Sequence, residues 1–235
     1  MIRLASLKNA KAKAWLAGRK NLLKKISKEL NPTIQYTWFH FASLGEFEQG
    51  RSVMEHLKAT KKDIHILITF FSPSGYEIRK NYALADHVFY LPSDTATHAR
   101  EFVSLVKPVM AVFTKYEYWY HYFDELHKNQ IPLYVISAIF RKNQPFFQFY
   151  GDLHRRMLQC VSHFFVQNEE SKLLLQTLSI NQVTVSGDTR FDRVAENASH
   201  PKSFDLIKSF CGEAQVFVAG SKWPADDILL AQLIK

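Results

Sequence analysis

The sequence predicts an α/β protein built on an open parallel sheet, and three observations carry that expectation. Seven short runs rich in Val, Ile and aromatic residues recur between residues 33 and 186. Stretches whose apolar positions have helical spacing separate them. The runs are apolar almost throughout rather than alternating, as expected of strands covered on both faces by helices.

Each element has its own sequence reason. In the N-terminal stretch Trp15, Leu22, Leu23, Ile26 and Leu30 recur at helical spacing between lysines, with Gly18 as an interruption. Asn31-Pro32 ends it, because the residue before proline avoids the helical region. Strands are expected at 33–42 (TIQYTWFHFA), 63–71 (DIHILITFF), 87–91 (HVFYL), 109–114 (VMAVFT), 132–138 (PLYVISA), 162–167 (SHFFVQ) and 182–186 (QVTVS). Helices are expected at 46–59, 75–83, 95–106, 117–129, 152–160 and 169–179. The polar stretch 188–203 (DTRFDRVAENASHPKS) reads as a linker. A second α/β unit then begins, with a helix from Phe204, a strand at 215–219 (QVFVA) and a helix from Pro224 in which the chain ends. The expected organisation is a basic helical segment over 1–31, a Rossmann-like domain over 32–187, a linker over 188–203 and the start of a truncated second domain over 204–235.

Composition narrows the function. With 47% hydrophobic and 14% aromatic residues, the 235-residue chain is too apolar to remain disordered. Its two cysteines, Cys160 and Cys211, are too few for a disulfide scaffold or a four-thiolate zinc site and fit a reducing compartment. No apolar run approaches the roughly 20 residues of a membrane-spanning helix, and no secretory signal is visible. Residues 1–30 hold nine Lys/Arg against one acid, Glu29, and so account for the whole net charge of +8. Three readings of that segment stand: a solvated helix packing one stripe on the domain, a basic helix lying on an anionic membrane, or a nucleic-acid contact.

Ligands of open parallel sheets bind beyond the carboxyl ends of the strands, so the residues that follow each strand are the candidates. After the first come Ser43-Leu44-Gly45-Glu46, at capping-box spacing. Glu46 is either a carboxylate placed by the helix dipole or a general base aimed into a cleft. After the second, Ser72-Pro73-Ser74-Gly75 offer hydroxyls at a helix start, an anion site by type. After the third, Ser93-Asp94 make a turn and an N-cap. After the fourth, Glu117-Tyr118-Trp119 set a carboxylate among aromatics. After the fifth, Arg141-Lys142-Asn143 form a basic loop. No Walker loop, G-x-G-x-x-G, HExxH or G-x-S-x-G is present, so nucleotide hydrolysis, dinucleotide binding, zinc chemistry and serine hydrolysis lack their signals.

In chain order these pieces are Ser43-Leu44-Gly45-Glu46, Thr69-Phe70-Phe71-Ser72-Pro73-Ser74-Gly75, Tyr90-Leu91-Pro92-Ser93-Asp94, Glu117-Tyr118-Trp119, Gln167-Asn168, Gly187-Asp188-Thr189-Arg190-Phe191-Asp192 and Gly220-Ser221. Together they resemble the 3-deoxy-D-manno-octulosonic acid (Kdo) transferases of Gram-negative bacteria over roughly residues 15–235. The resemblance implies a GT-B glycosyltransferase with two Rossmann-like domains, the second incomplete here. It implies transfer of Kdo from CMP-Kdo to lipid IVA at the cytoplasmic face of the inner membrane, with no metal or other cofactor.

Carried over motif by motif, the resemblance makes Glu46 the general base and Glu117 a second cleft carboxylate. Ser43, Gly45, Ser72, Ser74, Gly75, Trp119 and Arg141 become acceptor-binding residues, and Arg190, Ser221 and Lys222 donor-binding ones. It gives residues 1–30 to anionic membrane lipid and expects no nucleic acid. The sequence departs from the family pattern at Tyr120, where a proline is usual, at Arg190, where a lysine is usual, and at Lys222-Trp223-Pro224. Two other functions are carried beside this one. They are a non-catalytic module binding anionic lipid or nucleic acid, and a GT-B transferase using another nucleotide sugar.

Overall fold

A computed structural model describes residues 9–199 and 203–233 of the chain. It divides into two compact units, one up to Glu196 and one from Asn197. The first opens with two helices, α1 (Ala10–Gly18) and α2 (Leu22–Glu29). Asn9 caps α1 by accepting from the Lys11 and Ala12 amides, and Asn21 turns the chain through the left-handed region that asparagine tolerates. Gly18 is needed where the turn meets the sheet, because an added Cβ would come within 2.2 Å of the Tyr90 ring.

Seven strands follow: β1 (Tyr36–Phe41), β2 (His65–Phe70), β3 (His87–Tyr90), β4 (Pro108–Thr114), β5 (Leu133–Ala138), β6 (His163–Val166) and β7 (Val183–Val185). All pair in parallel, in the order β3-β2-β1-β4-β5-β6-β7. The connecting helices are α3 (Leu44–Thr60), α4 (Pro73–Arg79), α5 (Ala96–Val106), α6 (Tyr120–Lys128), α7 (Asp152–Gln159) and α8 (Glu169–Gln176), with a 3₁₀ turn at Pro145–Phe147 before α7. Every expected strand from 33 to 186 forms. The fourth helix to follow a strand starts at Tyr120 rather than 117, which leaves Glu117 in a loop.

Alternation along each strand divides the core. On one face Trp38 packs its fully buried ring among Phe102, Phe113 and Tyr122, with centroids 4.9, 5.0 and 5.7 Å away. Leu22, Ile26 and Leu30 join this core, so the apolar stripe of α2 faces the domain, as the plainest of the three readings has it. On the other face Phe41 and Phe70 of the sheet pack against Phe47 of α3. A groove of about 650 Å³ lies open beside α3 over the later strands, lined by Leu57, Met110, Tyr134, Ile136 and Phe165.

The polar stretch read as a linker contains the division between the two units, and within it Arg190–Ser199 form a helix, α9, whose Phe191 and Val194 stay exposed; positions 200–202 lie outside the described residues. One expectation is corrected. The strand expected at 215–219 is absent among the described residues of the second unit, which holds helices α10 (Asp205–Cys211) and α11 (Pro224–Leu233). A strand needs a neighbour to pair its backbone groups, and that unit offers none. Val216, Phe217, Val218, Ile228 and Leu229 are all exposed there. Arg19 is also unlike the other basic residues of its segment, as the site makes clear.

Candidate active site

The strand order reverses between β1 and β4. From β1 the chain runs outward through β2 to β3, then returns to β4 and proceeds the other way. The loops that leave the carboxyl ends of β1 and β4 therefore diverge, which opens a crevice. Glu46, in the first turn of α3, stands on one side, and Glu117, in the loop after β4, on the other.

Ser43 precedes α3 but does not accept from its amides. Its hydroxyl donates instead to Oε2 of Glu46 at 3.2 Å. Burial raises the Glu46 carboxyl above the usual carboxylate range, and the negative charge of Glu117 pushes the same way. The Ser43 hydroxyl and amide oppose the shift, as does Lys115. The net direction is upward, the direction a general base needs to approach neutral pH. Gly45 beside it is exposed, and its added Cβ would find nothing nearer than 3.9 Å. Packing does not require glycine there.

Glu117 is held firmly. Its Oε2 accepts from Trp119 Nε1 at 2.9 Å and lies 3.4 Å from His40 Nε2, and its side chain is 13% exposed. Trp119 tilts against Phe71 with centroids 5.0 Å apart, and Phe71 meets Trp15 of α1 edge-on at 5.7 Å. An aromatic wall thus runs from the N-terminal helix to the carboxylates. Arg19 anchors that helix. Its guanidinium donates to the carbonyls of Phe71 at 2.9 Å and Leu91 at 2.8 Å, just past the ends of β2 and β3, and stacks 3.9 Å from the Trp15 ring. The reason is local: those carbonyls continue beyond the strands and need donors. Arg19 is therefore turned inward, while Lys11, Lys13, Lys20, Lys24, Lys25 and Lys28 are exposed; Arg3 and Lys8 lie outside the described residues.

The remaining candidates separate. Ser72 caps α4 through the Ser74 amide at 3.2 Å, and the two hydroxyls lie 3.0 Å apart. Gly75 is buried where a Cβ would come within 2.3 Å of Phe70, a packing requirement. Asp94 caps α6, not the helix that follows it, by accepting from the His121 amide at 3.1 Å. Arg141 is exposed beyond β5. Arg190 grips Asp188 through two N–H groups at 2.8 and 2.5 Å, and this pairing holds Asp188 down at about 2 against the opposing effect of burial. Asp188 in turn accepts from Gln49 of α3 at 3.2 Å. Ser221 and Lys222 belong to the second unit, where Lys222 pairs with Asp227 at 2.5 Å.

Four groups received no role from sequence: Trp38, His40, Lys115, and Thr69, which stands only as the first residue of a quoted motif. His40 and Thr69 are polar residues at fully buried positions of almost wholly apolar strands, a signal visible in 33–42 and 63–71. Lys115 sits in the left-handed region with φ 64, directly after β4. Strained backbone of this kind concentrates at functional sites.

Residues 14–193 match the family profile described as 3-Deoxy-D-manno-octulosonic-acid transferase (kdotransferase). Among curated relatives, a bifunctional glycosyltransferase/methyltransferase of Fusobacterium nucleatum is 25% identical over 86% of this chain and 32% of its own length. The 3-deoxy-D-manno-octulosonic acid transferase of Rickettsia bellii is 24% identical over 84% of the chain and 47% of its own length. That of Haemophilus influenzae is 28% identical over 46% of the chain and 25% of its own length. The chain thus spans less than half the length of these relatives. Among solved structures, UDP-GlcNAc 2-epimerase from Neisseria meningitidis superposes with a TM-score of 0.56 at 17% identity, over 76% of this chain and 53% of that one. At that identity the likeness speaks for the GT-B type of fold alone.

Proposed function

We propose that this chain, which belongs to the 3-deoxy-D-manno-octulosonic acid transferase family, carries the acceptor-activating side of a reaction that moves Kdo from CMP-Kdo to lipid IVA. The observation that supports this reading is the Glu46–Glu117 pair at the reversal of strand order, with Glu46 raised by burial and by its partner's charge. In the step we envisage, Glu46 takes the proton of the acceptor hydroxyl. The freed oxygen attacks the anomeric carbon of Kdo from the face opposite the leaving group. The bond to CMP breaks, CMP departs with its electron pair, and the configuration inverts. General-base help of this kind contributes typically 10²–10⁴-fold.

The charged groups suit anionic ligands. Arg141, exposed beyond the carboxyl end of β5, supports contact with phosphate or carboxylate, and so does Arg190 beyond β7, where an anionic ligand would take the place of its partner Asp188. The donor roles of Ser221 and Lys222, and the acceptor roles of Ser43, Ser72, Ser74, Gly75 and Trp119, remain part of the proposal. Among the described residues no helix is long and apolar enough to cross a membrane. Since α2 has its apolar stripe in the core, we assign attachment to an anionic leaflet to the exposed lysines alone, each contributing about 1 kcal/mol near the surface. Co-sedimentation with anionic vesicles should therefore fall steeply as salt rises. Binding that ignores salt or lipid charge would contradict that assignment.

The test of the reaction is direct. The protein is supplied with CMP-Kdo and lipid IVA, and the lipid is weighed by mass spectrometry. The expected product is lipid IVA heavier by whole Kdo residues, with CMP released. Turnover of a different nucleotide sugar, with CMP-Kdo untouched, would overturn the donor assignment.

A further inference from the structure

We propose that Trp38, Thr69 and His40 form a buried one-way hydrogen-bond relay that fixes the carboxylate of Glu117, which makes His40 a positioning residue for the carboxylate pair. The use of that pair in catalysis rests on the function proposed above; the relay itself rests on geometry.

The three residues lie on one face of adjacent strands. His40 of β1 stands opposite Thr69 of β2 in register, and Trp38 is two residues before His40. All three are buried, with His40 and Thr69 at 0% exposure. Trp38 Nε1 lies 2.8 Å from Thr69 Oγ1, and His40 Nδ1 lies 2.8 Å from the same oxygen. His40 Nε2 is 3.4 Å from Glu117 Oε2.

Chemistry gives this chain a direction. An indole N–H only donates, so Thr69 Oγ1 accepts from Trp38. The hydroxyl proton of Thr69 then has His40 Nδ1 as its acceptor. A neutral imidazole that accepts at Nδ1 carries its proton on Nε2, and that N–H points at Glu117, whose ionised carboxylate only accepts. Thr69 Oγ1 could accept from both rings, but the reversed tautomer would turn the bare Nε2 lone pair onto the carboxylate of Glu117, two acceptors facing each other inside the core, which costs the desolvation of an unmade hydrogen bond. The ring must stay neutral for this to hold. Burial lowers the His40 proton affinity, and Arg19, just after α1, pushes the same way, while Glu117 and the Thr69 backbone oppose them; the net direction is downward.

The relay ends at Oε2 of Glu117, where Trp119 also donates. Among the described residues nothing donates to Oε1. One oxygen is thereby clamped, and the charge that raises Glu46 stays in one place. The groups acting on Glu46 are Glu117 and Lys115 from the loop after β4 and Ser43 at the start of its own helix.

The test reads the His40 ring in the intact chain, by long-range proton–nitrogen correlation on ¹⁵N-histidine protein, with the signal assigned by its loss in His40→Gln. The expected result is a neutral ring with its proton on Nε2, and no protonation as pH falls through about 6.5, where an ordinary histidine titrates. Thr69→Val should leave the proton on Nε2, where Glu117 accepts it, but shift the Nδ1 resonance to that of a lone pair without a donor, and Thr69→Ser should restore the wild-type value. A ring protonated on Nδ1 in the wild type, or an Nδ1 resonance indifferent to Thr69→Val, would overturn the relay; the wild-type and Thr69→Ser spectra decide even where the valine variant does not fold.

In the transfer assay, His40→Phe should cost about tenfold in kcat, the lower end of what losing an orienting partner costs at metal sites. His40→Gln, which keeps an N–H toward Glu117, should recover part of that loss. A relay seen in the spectra without any Kdo transfer would leave the relay standing and remove the functional reading. Transfer without the expected tautomer would do the reverse.

Discussion

Replacing Glu46 by Gln is expected to lower Kdo transfer by two orders of magnitude or more while the fold remains intact. The amide has the shape of the carboxylate and still offers an oxygen to the Ser43 hydroxyl, now 3.2 Å from Oε2. It cannot take a proton, so the general-base contribution of roughly 10²–10⁴-fold is lost outright. Stability should not suffer. The wild-type carboxylate is partly buried and repelled by Glu117, and neutralising it removes both penalties. Thermal unfolding and transfer measured on the same preparation check both halves. Activity within a few fold of wild type would reduce Glu46 to a residue favoured by the helix dipole.

The second large effect is expected at Glu117. Glu117→Gln keeps an oxygen for the N–H groups of Trp119 and His40, so the loop after β4 should hold its shape. What disappears is a negative charge that raises the proton affinity of Glu46. The sign follows: without it Glu46 ionises at lower pH and becomes a weaker base. The acid limb of the kcat/KM profile, which reports the free enzyme, should move to lower pH. Turnover near pH 7 should fall, by less than the roughly 10²–10⁴-fold that losing the base itself costs. A loss of turnover with the acid limb unmoved would place Glu117 in direct contact with substrate instead of behind Glu46.

The parallel sheet was legible because burial on both faces leaves strands such as 63–71 and 132–138 almost wholly apolar, whatever their neighbours. Glu46 and Glu117 were legible because parallel topology puts useful residues just past strand ends, and both follow strands that meet at the reversal of order. What sequence did not give was direction and partnership. Arg19 counts as one more cation among nine, yet it is drawn inward by the carbonyls of Phe71 and Leu91, from segments 52 and 72 positions away. His40 looks like a strand residue until β2 brings Thr69 opposite it. Asp94 follows β3 but serves α6, because α5 and α6 lie side by side. The segment 215–219 has strand composition and no strand beside it, and composition alone cannot supply a neighbour. The stretch 190–199 reads as a linker because it is polar, although helices need no apolar face where they are exposed.

The proposed reaction needs Glu46 to be a base whose proton affinity is set by burial and by Glu117, and that property can be read without any substrate. Carbon-13 NMR of labelled glutamates, with Glu46 assigned by its loss in Glu46→Gln, would follow the side-chain carboxyl through a pH titration in the wild type and in Glu117→Gln. The expected wild-type midpoint lies above the ordinary glutamate value of about 4.3, with a lower midpoint in Glu117→Gln. An ordinary wild-type midpoint that Glu117→Gln leaves in place would contradict that role of Glu46.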